Sequence, residues 1–249
     1  MTDPRIHERR VVVAREKGRH RRRYLLVGVV IVLLASGGFA LVHSSVLGAR
    51  HVEVSGLGHT SYSAVVKAAG LEGAPPLIDL STSVIAERVE ALPWIDTASV
   101  SLSWPTTVHI RLVERTPVAF IRSGSGSWAL LDPSGRVLQD VSVKPSRLPF
   151  LESSAAASAP GHRSSATLST LAHVASAMPQ SMVREISDVR WGHVQGVVAD
   201  LSSRRVAILG TPALLHDKFV ALATVLAHGD LSGIRTIDLR VPSAPLLLR

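Results

Sequence analysis

Hydrophobic positions follow three different periods along this chain, and each change of period marks a boundary. From Tyr24 to Val42 (YLLVGVVIVLLASGGFALV) nineteen consecutive residues carry no charge. At the helical rise, that length just crosses the roughly 30 Å hydrocarbon core of a bilayer, where a helix satisfies its own backbone groups. After a short link, His43 to Ala49, the pattern changes to alternation. Val52 and Val54 alternate with His51 and Glu53 and end at Ser55-Gly56, which predicts a short strand and turn. A helix follows over Thr60–Ala69, with Thr60 or Ser61 as N-cap, Val65, Val66 and Ala69 as its apolar face and Gly70 at its end. Gly73-Ala74-Pro75-Pro76 breaks the chain. A second helix spans Ser81 to Leu92, with Val84, Ile85, Val89 and Leu92 on one face and Pro93 as its stop.

The clearest hairpin comes next. Val100, Leu102 and Trp104 alternate with serines, and after Pro105-Thr106 the residues Val108, Ile110 and Leu112 alternate with Thr107, His109 and Arg111. Strict period-two alternation on both arms predicts a sheet with one buried and one wet face, covered by the two preceding helices. The order strand, helix, helix, strand, strand is a small α/β module with an expected core of Val54, Val65, Val89, Val100, Leu102, Val108 and Ile110. Trp94 and Trp104 flank the hairpin. Burial beneath the helices is favoured for both over a role in anchoring a partner.

Beyond the hairpin the elements are shorter. Strands are predicted at Val118–Ile121, Trp128–Asp132 and Arg136–Leu138, separated by the loop Ser123–Ser127 and the turn Asp132-Pro133-Ser134-Gly135. Ser153 to Ser165 is a loop or helix lead-in, and a helix runs from Ala166 to Met178. Strands at Glu185–Arg190, Val194–Asp200 and Arg205–Leu209 follow. Thr211-Pro212 suits the N-cap and N1 of a helix whose face is Leu215, Phe219, Leu222 and Leu226, closed by Gly229. In a last strand, Ile234 to Val241, the residues Ile237, Leu239 and Val241 face one way and Thr236, Asp238 and Arg240 the other. Pro242 and Pro245 then halt sheet pairing. The whole reads as α+β: one N-terminal transmembrane helix, a βααββ module, and a mixed β-sheet domain with flanking helices.

Charge orients these parts. Residues 1–23 hold nine Arg/Lys against three acids, a net +6 of the chain's +8, whereas the sixteen residues after the apolar run carry only Arg50 and Glu53. The positive-inside rule therefore keeps the N-terminus in the cytoplasm and exports residues 43–249. The basic tail also suits anionic lipid headgroups. The 18 basic and 16 acidic residues of 50–249 nearly cancel, so the high pI does not indicate nucleic acid. A retained anchor is favoured over a cleaved signal. The apolar run is longer than a signal's, and Val42-His43-Ser44-Ser45 is a poor cleavage site; Val46-Leu47-Gly48 is somewhat better. The absence of cysteine shows that no disulfide staples the exported part.

Several stretches together resemble a known family: HVEVSG, then LPWIDTASVSLSWPTTVHIRLVERTPVAF, then LLDPSGRVL with LPFLE, then LLHDKFVALATVL followed by IDLRVPSAP. In this order behind a hydrophobic anchor they are similar to FtsQ/DivIB, a bitopic bacterial cell-division family, and the excess of Arg over Lys suggests its actinobacterial branch. The resemblance implies a basic tail (1–23), a membrane helix (24–42), a linker (43–49), a POTRA domain (50–115), a β domain with a partner-binding C-terminal strand (116–243) and a short tail (244–249). It implies a scaffold at the division septum that binds FtsB/DivIC-like and FtsL-like bitopic proteins and, through them, the septal peptidoglycan synthase complex. No cofactor, metal, nucleic acid or small-molecule substrate is expected.

Searching for chemistry leads to the same expectation. The eleven histidines form no H-E-x-x-H and no helical i,i+4 pair, and cysteine is absent. Ser123–Ser127 lacks both a phosphate cradle's context and a nucleophile elbow. Glu87 and Glu90 are best read as a solvated helix face. The alternative, a secreted or anchored cell-envelope enzyme or a transport-assembly module with a POTRA-like fold, lacks a catalytic constellation. It also lacks the series of alternating strands of a barrel.

Partner contacts are expected at Thr236, Asp238, Arg240, Val241 and Ser243, with Arg190 added. Little chain remains after the prolines, so the last strand is expected at an open sheet edge that a partner strand could join. Arg240 is either a solvated arginine paired with Asp238 or a guanidinium that grips a partner's carboxylate; its place in the family's C-terminal strand favours the second reading.

Overall fold

The computed structural model describes residues 5–124, 126–154 and 156–249, without the side chains of 5–22 and 45. Helix α1 (Arg5–Val42) includes the predicted apolar run, and its segment Arg23–Val42 is wholly unburied and apolar enough to cross a membrane. One 3-10 turn, Ser45–Leu47, leads into β1 (His51–Ser55), α2 (Tyr62–Ala69), α3 (Thr82–Glu90), β2 (Ile95–Ser103) and β3 (Thr107–Glu114). Ser61 is the N-cap of α2: its side chain accepts from the Ala64 N–H. Gly70 closes the helix in the left-handed region that glycine favours.

The three strands form a sheet of order β1-β3-β2, with β1 parallel and β2 antiparallel to β3. The central strand β3 buries Val108, Ile110 and Leu112 against Val65, Ala69, Ile85 and Val89 of the two helices. Because β2 lies at the edge, Val100 and Leu102 are only half-buried. Trp94 is buried as expected at 8% exposure, but Trp104 is 55% exposed. Strand β2 ends at Ser103, so Trp104 sits in the turn, where alternation no longer directs a side chain inward.

The second part is a nine-stranded mixed sheet of order β12-β11-β10-β9-β8-β7-β4-β5-β6. Its strands are β4 (Ala119–Arg122), β5 (Trp128–Leu131), β6 (Val137–Val141), β7 (Phe150–Glu152), β8 (Ile186–Gly192), β9 (Gly196–Leu201), β10 (Val206–Gly210), β11 (Thr236–Asp238) and β12 (Leu246–Leu248). Helix α4 (Ala166–Ser176) packs on β4, β7 and β8, and α5 (Leu215–His228) on β10. These helices cover one face, with Leu168, Leu171, Phe219 and Leu222 meeting Val189, Ala199, Ala207 and Ile237.

Three expectations fail in this part. Thr211-Pro212 does not cap α5; that helix starts behind Leu214, which is in the left-handed region and makes no side-chain cap bond. The Thr211 carbonyl instead accepts from the buried ammonium of Lys218 at 2.8 Å. The predicted strand Ile234–Val241 pairs only over Thr236–Asp238, and Val241 is exposed because the chain turns before it. Residues 244–249, expected only to trail the last strand, supply β12. Strand β12 runs antiparallel along β11, so β11 is interior and not the sheet edge.

Candidate protein-interaction site

Cross-strand register sorts the expected contact residues onto one face. A row of paired residues runs Glu152, Arg190, Val198, Ile208, Asp238, Leu246 from β7 to β12. A neighbouring row on the same face runs Phe150, Asp188, Asp200, Val206, Thr236, Leu248. Paired residues share a face, and residues two apart along a strand do too. The intervening positions Leu151, Val189, Ala199, Ala207 and Ile237 all belong to the core under α4 and α5. Thr236, Asp238 and Arg190 therefore lie on the face opposite the helices. Arg190 and Asp238 are three strand spacings apart, about 14 Å. The fold thus puts Arg190 on the same face as the C-terminal residues without bringing it into contact with them.

Arg240 lies just beyond β11. Its Nη2 donates to Asp238 Oδ2 at 2.6 Å, its Nε to both carboxylate oxygens at 3.0–3.1 Å, and its backbone N–H to Oδ1 at 3.0 Å. The Arg240 hydrogen bonds outweigh partial burial and hold the Asp238 carboxyl below its ordinary range, while the same pairing raises the guanidinium's pKa. The acid is buried and the guanidinium mostly exposed, so Arg240 already has a partner and still presents donors to solvent. The aliphatic stem of Arg240 crosses Gly210: a Cβ there would fall 2.8 Å from Arg240 Cγ. Val241 and Ser243 are exposed beside it. Ser243, Pro242 and Pro245 form one wall of a groove of about 440 Å³, with Val220, Ala221 and Thr224 of α5 on the other.

Arg190 occupies a different setting. Its Nε donates to Asp200 at 2.8 Å and lies 3.8 Å from Glu152, and the residue lines a separate groove of about 700 Å³. The oxygens of Glu152, Asp188 and Asp200 approach within 4.8 Å of one another, the arrangement among the described residues that could hold a cation. The Arg190 guanidinium already supplies positive charge there. Burial, the facing Asp200 and the nearby Glu152 push the Asp188 carboxyl up to about 6 despite a bond from Ser187.

Sequence reasoning missed the β12 leucines, the α5 wall of the groove and the acids around Arg190. Only the last had a usable signal. A hairpin turning at 193–195 makes Arg190 pair with Val198, which leaves Asp200 diagonal to it.

Residues 47–115 match the family model described as POTRA domain, FtsQ-type. Over 241 residues the chain is 30% identical to the cell division protein FtsQ of Streptomyces collinus, covering 93% of this chain and 90% of that one. It is 30% identical over 217 residues to FtsQ of Mycolicibacterium smegmatis, covering 87% of this chain and 62% of that one. The solved major extracytoplasmic domain of DivIB from Geobacillus stearothermophilus aligns at 16% identity and a TM-score of 0.33, over 46% of this chain and 95% of the other.

Proposed function

Because this chain belongs to the FtsQ family of bacterial cell-division proteins, we propose that it is a membrane-anchored scaffold of the division machinery. It binds small bitopic partners of the FtsB/DivIC and FtsL types at the division septum and helps recruit and regulate the septal peptidoglycan synthase through them. The N-terminus lies in the cytoplasm and residues 43–249 outside the membrane, a reading supported by the nine basic residues before the apolar helix. A scaffold is favoured over the envelope-enzyme alternative by family membership.

The observation that carries the contact site is the grouping at the sheet's C-terminal end. Exposed Arg240, Val241 and Ser243 adjoin β12, whose outer side has no neighbouring strand among the described residues. A partner strand on β12 would satisfy main-chain groups there, with Arg240 and Val241 supplying specificity. Thr236 and Asp238 act from beneath: Asp238 orients the guanidinium. Arg190 belongs to the same face and would meet a longer partner segment. Arg240→Glu alone is an impure probe, since it also strips buried Asp238 of its counterion. Capture of an FtsB/DivIC-like partner by full-length Val241→Asp and Ser243→Arg, both at exposed positions, tests the site cleanly. Undiminished capture by both variants refutes it.

A further inference from the structure

Three chain segments meet where α1 ends. His43, one residue past the helix, is 3.5 Å from Asp79 through its Nε2. The Ala49 N–H donates to the Pro75 carbonyl at 2.9 Å, and Gly48 bridges Pro76. The His51 N–H donates to the Thr106 carbonyl at 3.1 Å, which brings the β2–β3 turn to the same end of the sheet. Each segment carries an exposed bulky apolar side chain: Val46 at 53%, Ile78 at 48%, and Trp104 in the turn.

From these contacts we propose that this end of the three-stranded module docks on the lipid surface, with Val46, Ile78 and Trp104 in the headgroup region of the leaflet that α1 leaves. The proposal rests on reading α1 as a membrane span. The 20 residues Arg23–Val42 match the hydrocarbon thickness with no surplus, so Val42 lies at its edge. The headgroup layer adds only about 5–7 Å per side. A residue adjoining Asp79, itself beside His43, is therefore within reach of that layer. Isolated exposed apolar residues are ordinary on a protein surface, but three on separate segments gathered at a membrane exit are not scattered. An amphipathic indole at this depth matches the aromatic preference of membrane interfaces. The module's charge does not drive docking: residues 43–115 carry five Arg/Lys against seven acids.

The chain has no cysteine, so single-cysteine variants label cleanly. Full-length protein is reconstituted in phosphatidylcholine nanodiscs carrying doxyl-labelled lipid, with an environment-sensitive NBD dye at position 46, 78 or 104. The comparison position is Leu57, also exposed, just beyond the far end of β1. Dye at 46, 78 and 104 is expected to emit blue-shifted and to be quenched several-fold more strongly than at 57, and Ile78→Asp is expected to lessen quenching at 46. Emission at 78 and 104 as aqueous as at 57, in protein that resists alkaline extraction, overturns docking alone. Protein extracted by alkali overturns the span reading itself. Dye at 46, 78 and 104 that is unquenched in the protein alone and turns blue-shifted, still without doxyl quenching, only when a partner protein is added assigns the patch to that partner and likewise overturns a lipid surface as its occupant.

Discussion

Arg115 and Asp132 join the two sheet-containing parts of the chain: the Arg115 guanidinium donates to the Asp132 carboxylate at 2.7 Å, with the acid almost fully buried. Arg115 also donates from Nε to the Ile95 carbonyl and pairs with Asp96. Asp132 accepts further from the Ser134 side chain and from the Ser134 and Arg136 N–H groups. Burial raises its pKa, but the bonds from Ser134, Arg136 and Arg115 outweigh that and leave it below the ordinary range. The family-like motifs ERTP and LLDPSG are thus the two halves of one clamp. Asp132→Asn keeps the shape and removes the charge. It is expected to cost about 3 kcal/mol in chemical denaturation of the purified protein, since it leaves a partly buried guanidinium short of a counterion. A loss below a few tenths would show that the clamp is geometric only.

Leu102 and Ile110 separate edge from centre within the first sheet. Leu102 is half-buried on β2, whereas Ile110 is fully buried on β3. Ile110→Ala is expected to cost about 2–5 kcal/mol, and Leu102→Ala only about 1. Equal losses in parallel denaturation curves would mean that β2 is covered on its outer edge as well.

Acid should loosen the start of α2. The Glu114 carboxylate accepts from the backbone N–H groups of Gly58, His59 and Thr60 and contacts the His59 ring, which stacks on Trp94. Burial opposes ionisation, yet the bonds from Thr60, His59 and Gly58 outweigh it and bring the pKa down to about 2 from 4.5. A depressed folded-state pKa stabilises above the unfolded value, and that stability is lost as pH falls from 4.5 toward 2. Glu114→Gln should cost about 2 kcal/mol at neutral pH and flatten this part of the stability profile. An unaltered profile would show that the loop does not depend on the charge.

Asp188 works in the opposite sense. Raised to about 6 from 3.8, it binds its proton more tightly when folded, so stability falls as pH rises between those values and the penalty is complete above them. The groups facing it are Asp200 on β9, Glu152 on β7, and Ser187 and Arg190 on its own strand. Asp188→Asn should raise stability at neutral pH by on the order of 1 kcal/mol after solvent screening, with the gain vanishing below about pH 4. A gain that persists in acid would point to packing instead of charge.

At the C-terminal end, removing residues 246–249 is expected to abolish capture of the bitopic partner, because the edge it joins is then gone. Val241→Asp should weaken capture about tenfold with unchanged melting temperature. Stronger capture by the truncated chain would instead mean that the partner strand takes the place of β12 against β11.

Local periodicity already contained the apolar span, the βααββ order, the hairpin and the buried face of α5. In each, a repeating pattern long enough to read is set by neighbours a few residues apart. Ser61, Gly70 and Gly229 as helix boundaries belong to the same class, since a cap is a bond between adjacent turns. What only the tertiary structure decided is non-local. Strand β7 has three residues and β12 is LLL behind two prolines, too short to show a period; each exists because a distant strand offers it a ladder. Trp104 emerges into solvent because its strand ends one residue earlier. The pairing of Arg240 with Asp238, two residues apart, is local, whereas the placement of Arg190 on the same face as Asp238 and the clamp from Arg115 to Asp132 depend on which strands become neighbours. That choice is made by burying one side of a nine-stranded sheet as a whole, and no single stretch of the chain carries it.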